Sequence, residues 1–170
     1  MSSFTISRVF EAPRQLVFDC WVQPAHFEQW FAPAGCGSRL CSADVRPGGH
    51  YHQEVVWPDG TSFHTMHAFK EIHPIDLILF VSSFCDESGQ IVKHPFDDRW
   101  PDRLLTRVTF AEEGRNTRVT VQWDPVDATE AELKNFVDSQ PNCVLGWTGT
   151  FDRLAATLES LTAGSTPAAD

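Results

Sequence analysis

Positive charge is scarce in this chain. Only 13 Lys and Arg stand against 23 Asp and Glu, a formal net charge of −10. Neutralising a phosphate backbone takes clustered Lys and Arg, so a nucleic-acid partner is not expected, and an anionic membrane surface is disfavoured for the same reason. No apolar run approaches the roughly 18 residues that span a bilayer. The 5 cysteines are odd in number and include no C-x-x-C pair, and no basic-then-apolar leader precedes them, so a reducing cytoplasm is the expected home. G-x-S-x-G, H-E-x-x-H and Gly-rich phosphate loops are all missing, which removes the commonest hydrolase, zinc-protease and nucleotide signatures. Tyr occurs once.

What is plentiful is ring surface, with 13 Phe and 6 Trp in 170 residues. That length suits one domain with a single core, expected over residues 1–162, followed by a flexible tail, residues 163–170, whose "TAGSTPAAD" composition cannot support packing. Trp147, Phe151, Leu154, Leu158 and Leu161 recur at helical spacing, predicting a long helix with one apolar stripe, while Thr148, Asp152, Arg153 and Glu159 suit solvent. Such a stripe needs a broad apolar partner. "FTISRVFEA" alternates as a strand, and Pro13 and Pro24 bracket a short helix over "RQLVFDCWV". "PAHFEQWF" predicts a second helix. Strands follow at about Leu40 to Val45, His50 to Trp57, Thr61 to Ile72, Leu77 to Phe84, Leu104 to Phe110 and Arg118 to Trp123. Short turns between them imply an antiparallel meander, and the long helix is its obvious cover.

In this order, "APRQLVFDCWVQPAHFEQWFAP", "DVRPGGHYHQ", "PDGT", "KEIHPIDLILF" and "GWTGTFDRLAATL" resemble the domain of homologues of the activator of heat-shock-protein-90 ATPase. That domain belongs to the helix-grip superfamily of START-like and birch-pollen-allergen-like proteins. The resemblance implies an α+β helix-grip fold: a curved six- to seven-stranded antiparallel sheet wrapped around a long C-terminal helix, with two short helices after the first strand. It also implies a cavity for a small hydrophobic or amphipathic ligand. A polyketide-cyclase-like enzyme and a chaperone-associated interaction module are the alternatives. Eukaryotic activators carry a separate docking domain, whereas this chain begins at the first strand, so a chaperone partner is not the expectation. No cofactor is expected, and the chain is read as a monomer or homodimer.

The hairpin at "WPDGT" fixes a candidate site. A two-residue turn at Asp59 and Gly60 would pair Trp57 with Ser62, Val55 with His64, Gln53 with Met66 and Tyr51 with Ala68 on the inner face. The outer face would then gather His50, His52 and His67, read as a wet surface with no metal. Polar groups of the cavity would be Gln53, His64 and Ser82. Trp30 and Phe31, with Phe96 and Trp100 of the long loop, would rim its mouth. With Phe80, Trp147 and Phe151, the ligand-binding set becomes Trp30, Tyr51, Gln53, Val55, Trp57, His64, Met66, Phe80, Phe96, Trp100, Trp147 and Phe151. His26, His73 and His94 are read as surface positions, and Gly146 as the small residue that lets the long helix approach the sheet.

Overall fold

The computed structural model describes residues 2–164. Its elements are β1 (Phe4–Phe10), α1 (Arg14–Val22), α2 (Pro24–Trp30), β2 (Gly37–Asp44), β3 (His50–Val56), β4 (Ser62–His73), β5 (Leu77–Cys85), β6 (Leu104–Glu113), β7 (Asn116–Pro125), α3 (Glu130–Asp138) and α4 (Gln140–Gly164). All seven strands join one antiparallel sheet in the order β1-β7-β6-β5-β4-β3-β2. Strands β2 to β7 form the expected meander, and β1 docks beside β7. The chain must therefore cross from one edge of the sheet to the other between β1 and β2. Helices α1 and α2 make that crossing, started by Pro13 and Pro24, where a missing N–H costs nothing.

One face of the sheet is covered. Strand alternation drives it: Leu104, Thr106, Val108 and Phe110 of β6 and Thr117, Val119 and Val121 of β7 are all buried. Against them lie Trp147, Phe151, Leu154 and Leu158 of α4, the stripe read from the sequence. Ring contacts knit the layers: Trp21 meets Trp30 edge-on at 4.7 Å between centroids and stacks on Trp147 at 6.3 Å, and Phe10 meets Phe151 edge-on at 5.4 Å. Arg153 departs from its expected place among the solvated residues. Its guanidinium donates to the carbonyls of Pro33 and Cys36 at 3.1 and 2.9 Å and to that of Gln29 at 3.2 Å. It thereby ties the last turn of α2 and the loop that follows it to α4.

Two sequence expectations need correction at the C-terminal end. Helix α4 runs through Ala163 and Gly164, which were assigned to the tail; the remainder of that tail lies outside the described residues. Helix α3 was not foreseen, although its start is written in the sequence as Thr129-Glu130-Ala131-Glu132. Thr129 and Glu132 form a reciprocal capping box. Among the described residues no helix is long and apolar enough to cross a membrane.

The largest correction is one of register. The β3–β4 turn holds three residues, Pro58, Asp59 and Gly60, closed by the Trp57 N–H to the Thr61 carbonyl at 2.8 Å. Gly60 has φ +89°, while Asp59 stays out of the left-handed region that the two-residue turn required of it. Pro58 explains the choice, because its fixed φ suits the first central position of a type I turn, with glycine completing the bulge. The Asp59 carboxylate then accepts from the Thr61 N–H and hydroxyl. The pairs become Tyr51 with His67, Gln53 with Thr65 and Val55 with Phe63. A one-residue slip turns every β4 side chain to the opposite face. His64 and Met66, expected inside, therefore lie on the outer face, and His67, expected outside, is buried.

Leu154 is fully buried beneath the helix stripe. Leu154→Ala should cost ~2–5 kcal/mol in urea unfolding, because the truncation leaves a cavity that rigid neighbours cannot fill. A loss under about 1 kcal/mol would mean that this face is not core.

Candidate functional site

Between the sheet and the N-terminal half of α4 the structure leaves a cavity of about 550 Å³. Its floor is the inner face of β3 to β7, its roof is Ser139 with α4 as far as Thr150, and one wall is the segment from His94 to Pro101 that joins β5 to β6. Why the space is open can be read from residues. Ser82 and Thr106 put short side chains on the floor, and Gly146 puts none on the roof. A Cβ built at Gly146 would meet nothing within 4 Å. Gly146 thus enlarges the cavity rather than allowing close helix packing; Gly149, whose Cβ would sit 3.5 Å from Ala34, is the residue at a close approach.

The lining is dominated by rings: Phe31, Trp57, Phe63, Phe80, Phe84, Phe96, Trp100, Trp123 and Trp147. Of the twelve residues chosen from sequence, Gln53, Val55, Trp57, Phe80, Phe96, Trp100 and Trp147 are brought together there. The other five are not. Trp30 is wholly buried and donates its indole N–H to the Cys20 carbonyl at 2.9 Å. Tyr51 stacks on Phe27 and donates to the Trp21 carbonyl at 3.0 Å. Phe151 fills the core beside Phe10. His64 and Met66 face away, for the register reason given above. Phe31, the neighbour of Trp30, does reach the cavity.

The polar groups on the floor form one connected chain. Gln53 donates through Nε2 to Ser38 Oγ at 2.6 Å and to the Phe31 carbonyl. Thr65 Oγ1 donates to Gln53 Oε1 at 3.2 Å and lies 3.3 Å from His67 Nε2. His67 Nδ1 is 3.1 Å from Ser82 Oγ, itself 3.2 Å from Thr106 Oγ1. Donor counting fixes its direction. Gln53 Oε1 can only accept, so Thr65 spends its proton there and must receive one from His67 Nε2–H. The Nδ1 lone pair then takes the Ser82 proton, and Ser82 accepts from Thr106. Burial without a counter-charge drives the His67 pKa down to about 3, so its ring is neutral. The unused capacity of this chain consists of hydroxyl lone pairs at the Ser82 and Thr106 end.

At the mouth, Phe96 is 72 % exposed and sits against Trp57 and His94. His94 was read as a surface position but lines the cavity. Its Nδ1 accepts the Phe96 backbone N–H at 3.0 Å, and burial lowers its pKa although nearby Asp97 opposes the shift. The unforeseen α3 anchors this segment. Asn135 donates to Asp97 at 2.7 Å, Lys93 bridges Asp102 and Glu132 at 2.8 and 2.9 Å, and the Phe136 ring packs on Trp100 at 5.5 Å. His67, Thr65 and Thr106 were missed by sequence reasoning. Pro58 in the turn was the signal that would have found the first two.

Comparison with known proteins follows the same lines. The family model described as Activator of Hsp90 ATPase homolog 1-like protein matches residues 11–159. A solution structure of a protein from Arthrobacter aurescens superposes with a TM-score of 0.79 at 22% identity, covering 93% of this chain and 86% of that one. Protein Ms6760 from Mycobacterium smegmatis gives 0.75 at 21% identity, over 92% and 90% of the two chains. An AHSA1 protein from Silicibacter pomeroyi gives 0.66 at 17% identity, over 93% and 98%. These likenesses establish the helix-grip fold. No relative of curated function matches the chain.

The buried neutral histidines carry a pH prediction. A base whose folded pKa is depressed binds its proton more readily in the unfolded chain, so its contribution is complete above the ordinary value of 6.5 and is lost as pH falls toward the folded value, about 3 for His67. Urea unfolding should show stability falling between pH 7 and pH 5, with a limiting slope of about 1.4 kcal/mol per pH unit from His67. His67→Gln should flatten that slope; a profile unchanged by the substitution would mean that His67 titrates normally.

Proposed function

The chain belongs to the Activator of Hsp90 ATPase homolog 1-like family, and on that footing we propose that it binds a flat, mostly apolar small molecule bearing one hydroxyl group, held between α4 and the sheet. The observation that carries this reading is the single directed hydrogen-bond chain on the floor of an otherwise ring-lined cavity. The volume of about 550 Å³ lies within the roughly 300–1,000 Å³ usual for small-molecule sites. Facing rings favour a planar ligand, since offset and edge-on ring contacts add to apolar burial. The Ser82 and Thr106 end offers acceptors and no free proton, so it selects a ligand that donates. A ligand lacking the donor would leave these hydroxyls desolvated and unmatched.

Binding without turnover is the better reading because the groups suited to proton transfer are already engaged. His67 has both nitrogens in the chain and is held neutral. His94 Nδ1 is taken by the Phe96 N–H. Asp97 is bonded to Asn135, the first cause of its lowered pKa. An acid–base pair needs a free lone pair or proton within reach of the substrate.

Two aromatic probes test the proposal by tryptophan fluorescence, with Trp57, Trp100, Trp123 and Trp147 on the cavity wall as reporters. 2-Naphthol should quench saturably and bind more tightly than 2-methoxynaphthalene, which cannot donate. Gly146→Leu should place a side chain in the cavity, weakening 2-naphthol roughly tenfold or more, while gaining up to ~1 kcal/mol of helix stability. Absence of saturable quenching in the parent, or unchanged affinity in a folded Gly146→Leu protein, would refute a binding cavity.

A further inference from the structure

The face of the sheet opposite the cavity carries a second arrangement, built by the same register. Three adjacent strands each contribute one soft or borderline donor: Cys41 from β2, His52 from β3 and His64 from β4. Their ligand atoms all lie within 4.8 Å of one another. His52 Nε2 is 3.1 Å from His64 Nδ1, and Cys41 Sγ is 3.9 Å from that same Nδ1. Each is there for a local reason. The three-residue turn sends His64 outward together with His52. In β2 the pairing jumps between Leu40 and Ser42, so Cys41 is the extra residue of a bulge, a device that re-aims a side chain.

We propose that Cys41, His52 and His64 form a binding site for a thiophilic divalent transition ion of the zinc class. Around a tetrahedral ion with metal–nitrogen bonds of about 2.0–2.1 Å and a metal–sulfur bond of about 2.3 Å, neighbouring ligand atoms stand about 3.3–3.6 Å apart. The observed 3.1 and 3.9 Å straddle those values and the third separation is within 4.8 Å, so side-chain shifts of up to about an ångström complete the geometry. A thiolate with two imidazoles selects zinc, cobalt or copper over magnesium and calcium, which want oxygen. Without a cation the arrangement is over-subscribed, because one nitrogen of His64 is approached by both a thiol and an imidazole. One hydrogen bond satisfies only one of them; an ion serves all three.

The support around His52 is of the kind metal-binding imidazoles have. Its ring is buried, and the Asp86 backbone hydrogen-bonds to it. The turn from Asp86 to Gln90 that supplies this contact folds over the ring, tied by the Asp86 N–H to the Gln90 carbonyl at 2.9 Å. Cys41 is exposed, so a fourth coordination position opens to water on its side. Glu54, also close to His64, is held by Arg39 at 2.5 Å and is not needed.

Cobalt(II) titration of the reduced, untagged full chain reads the site directly. One equivalent should produce thiolate-to-cobalt charge-transfer absorption with the visible bands of a tetrahedral ion, and Zn²⁺ should abolish both. Cys41→Ala should remove the charge-transfer band, and His64→Gln should weaken binding by roughly tenfold or more; both positions are accessible enough to change without disturbing the fold, which circular dichroism verifies. His50→Gln, on the same face but outside the cluster, should leave the titration unchanged. No saturable band in the parent overturns the proposal. So does a band that survives Cys41→Ala, or an affinity that His64→Gln leaves intact.

Discussion

The turn at Pro58–Asp59–Gly60 is the constraint on which both faces of this sheet depend. Side chains alternate along a strand, so the number of residues in one turn decides which half of β4 looks inward. Three residues bring Thr65 and His67 to the cavity floor and leave His64 beside His52 and Cys41. Two would have put Met66 and His64 against the rings and left the floor without its central imidazole. The proline, which has no N–H to close a two-residue turn against Thr61 and whose fixed φ suits a central turn position, thereby decides which β4 side chains reach the site.

Packing then decides where the open space lies. The aromatic cluster of Trp21, Trp30, Phe27 and Tyr51 fills the end near α1 and α2, with the polar ends of Trp30 and Tyr51 satisfied by backbone carbonyls and the buried Trp21 indole N–H left without a partner. Toward the N-terminal half of α4 the side chains facing each other shorten to Ser82, Thr106 and Gly146. Helix α3 supports the wall on that side through Phe136, Asn135 and Glu132. One interior is thus divided into a solid half and an open half by the sizes of a few facing residues.

Much of this was legible in the sequence. The α4 stripe was sound because five apolar residues kept helical phase, and the strands were sound because turns punctuated them. Gln53 and Val55 of β3, and Trp57 just after it, face the cavity as read, since β3 keeps its face whichever turn follows. The inner residues of β4 were misassigned, because "PDGT" satisfies two turn types and only Pro58 discriminates between them. Trp30 and Tyr51 misled for a different reason: ring residues of core and cavity look alike in sequence, and only three-dimensional packing separates them. The Cys41 bulge left no mark that periodicity detects. Helix α3 did leave one, in Thr129 and Glu132.

The segment between β5 and β6 touches both faces of the molecule. Its first half folds over His52, and its second half, from His94 to Pro101, walls the cavity. The two regions are consecutive stretches of one connection with no regular helix or strand between them. Between its ends the segment is tied down by the pairing of Ile91 with Cys85 and by the ion pairs of Lys93 with Asp102 and Glu132. Ordering at Asp86 would reach Trp100 only as far as those ties let a shift pass, and any such coupling would be equal in both directions. The sheet separates its two faces in space; this connection is a stretch of backbone that belongs to both.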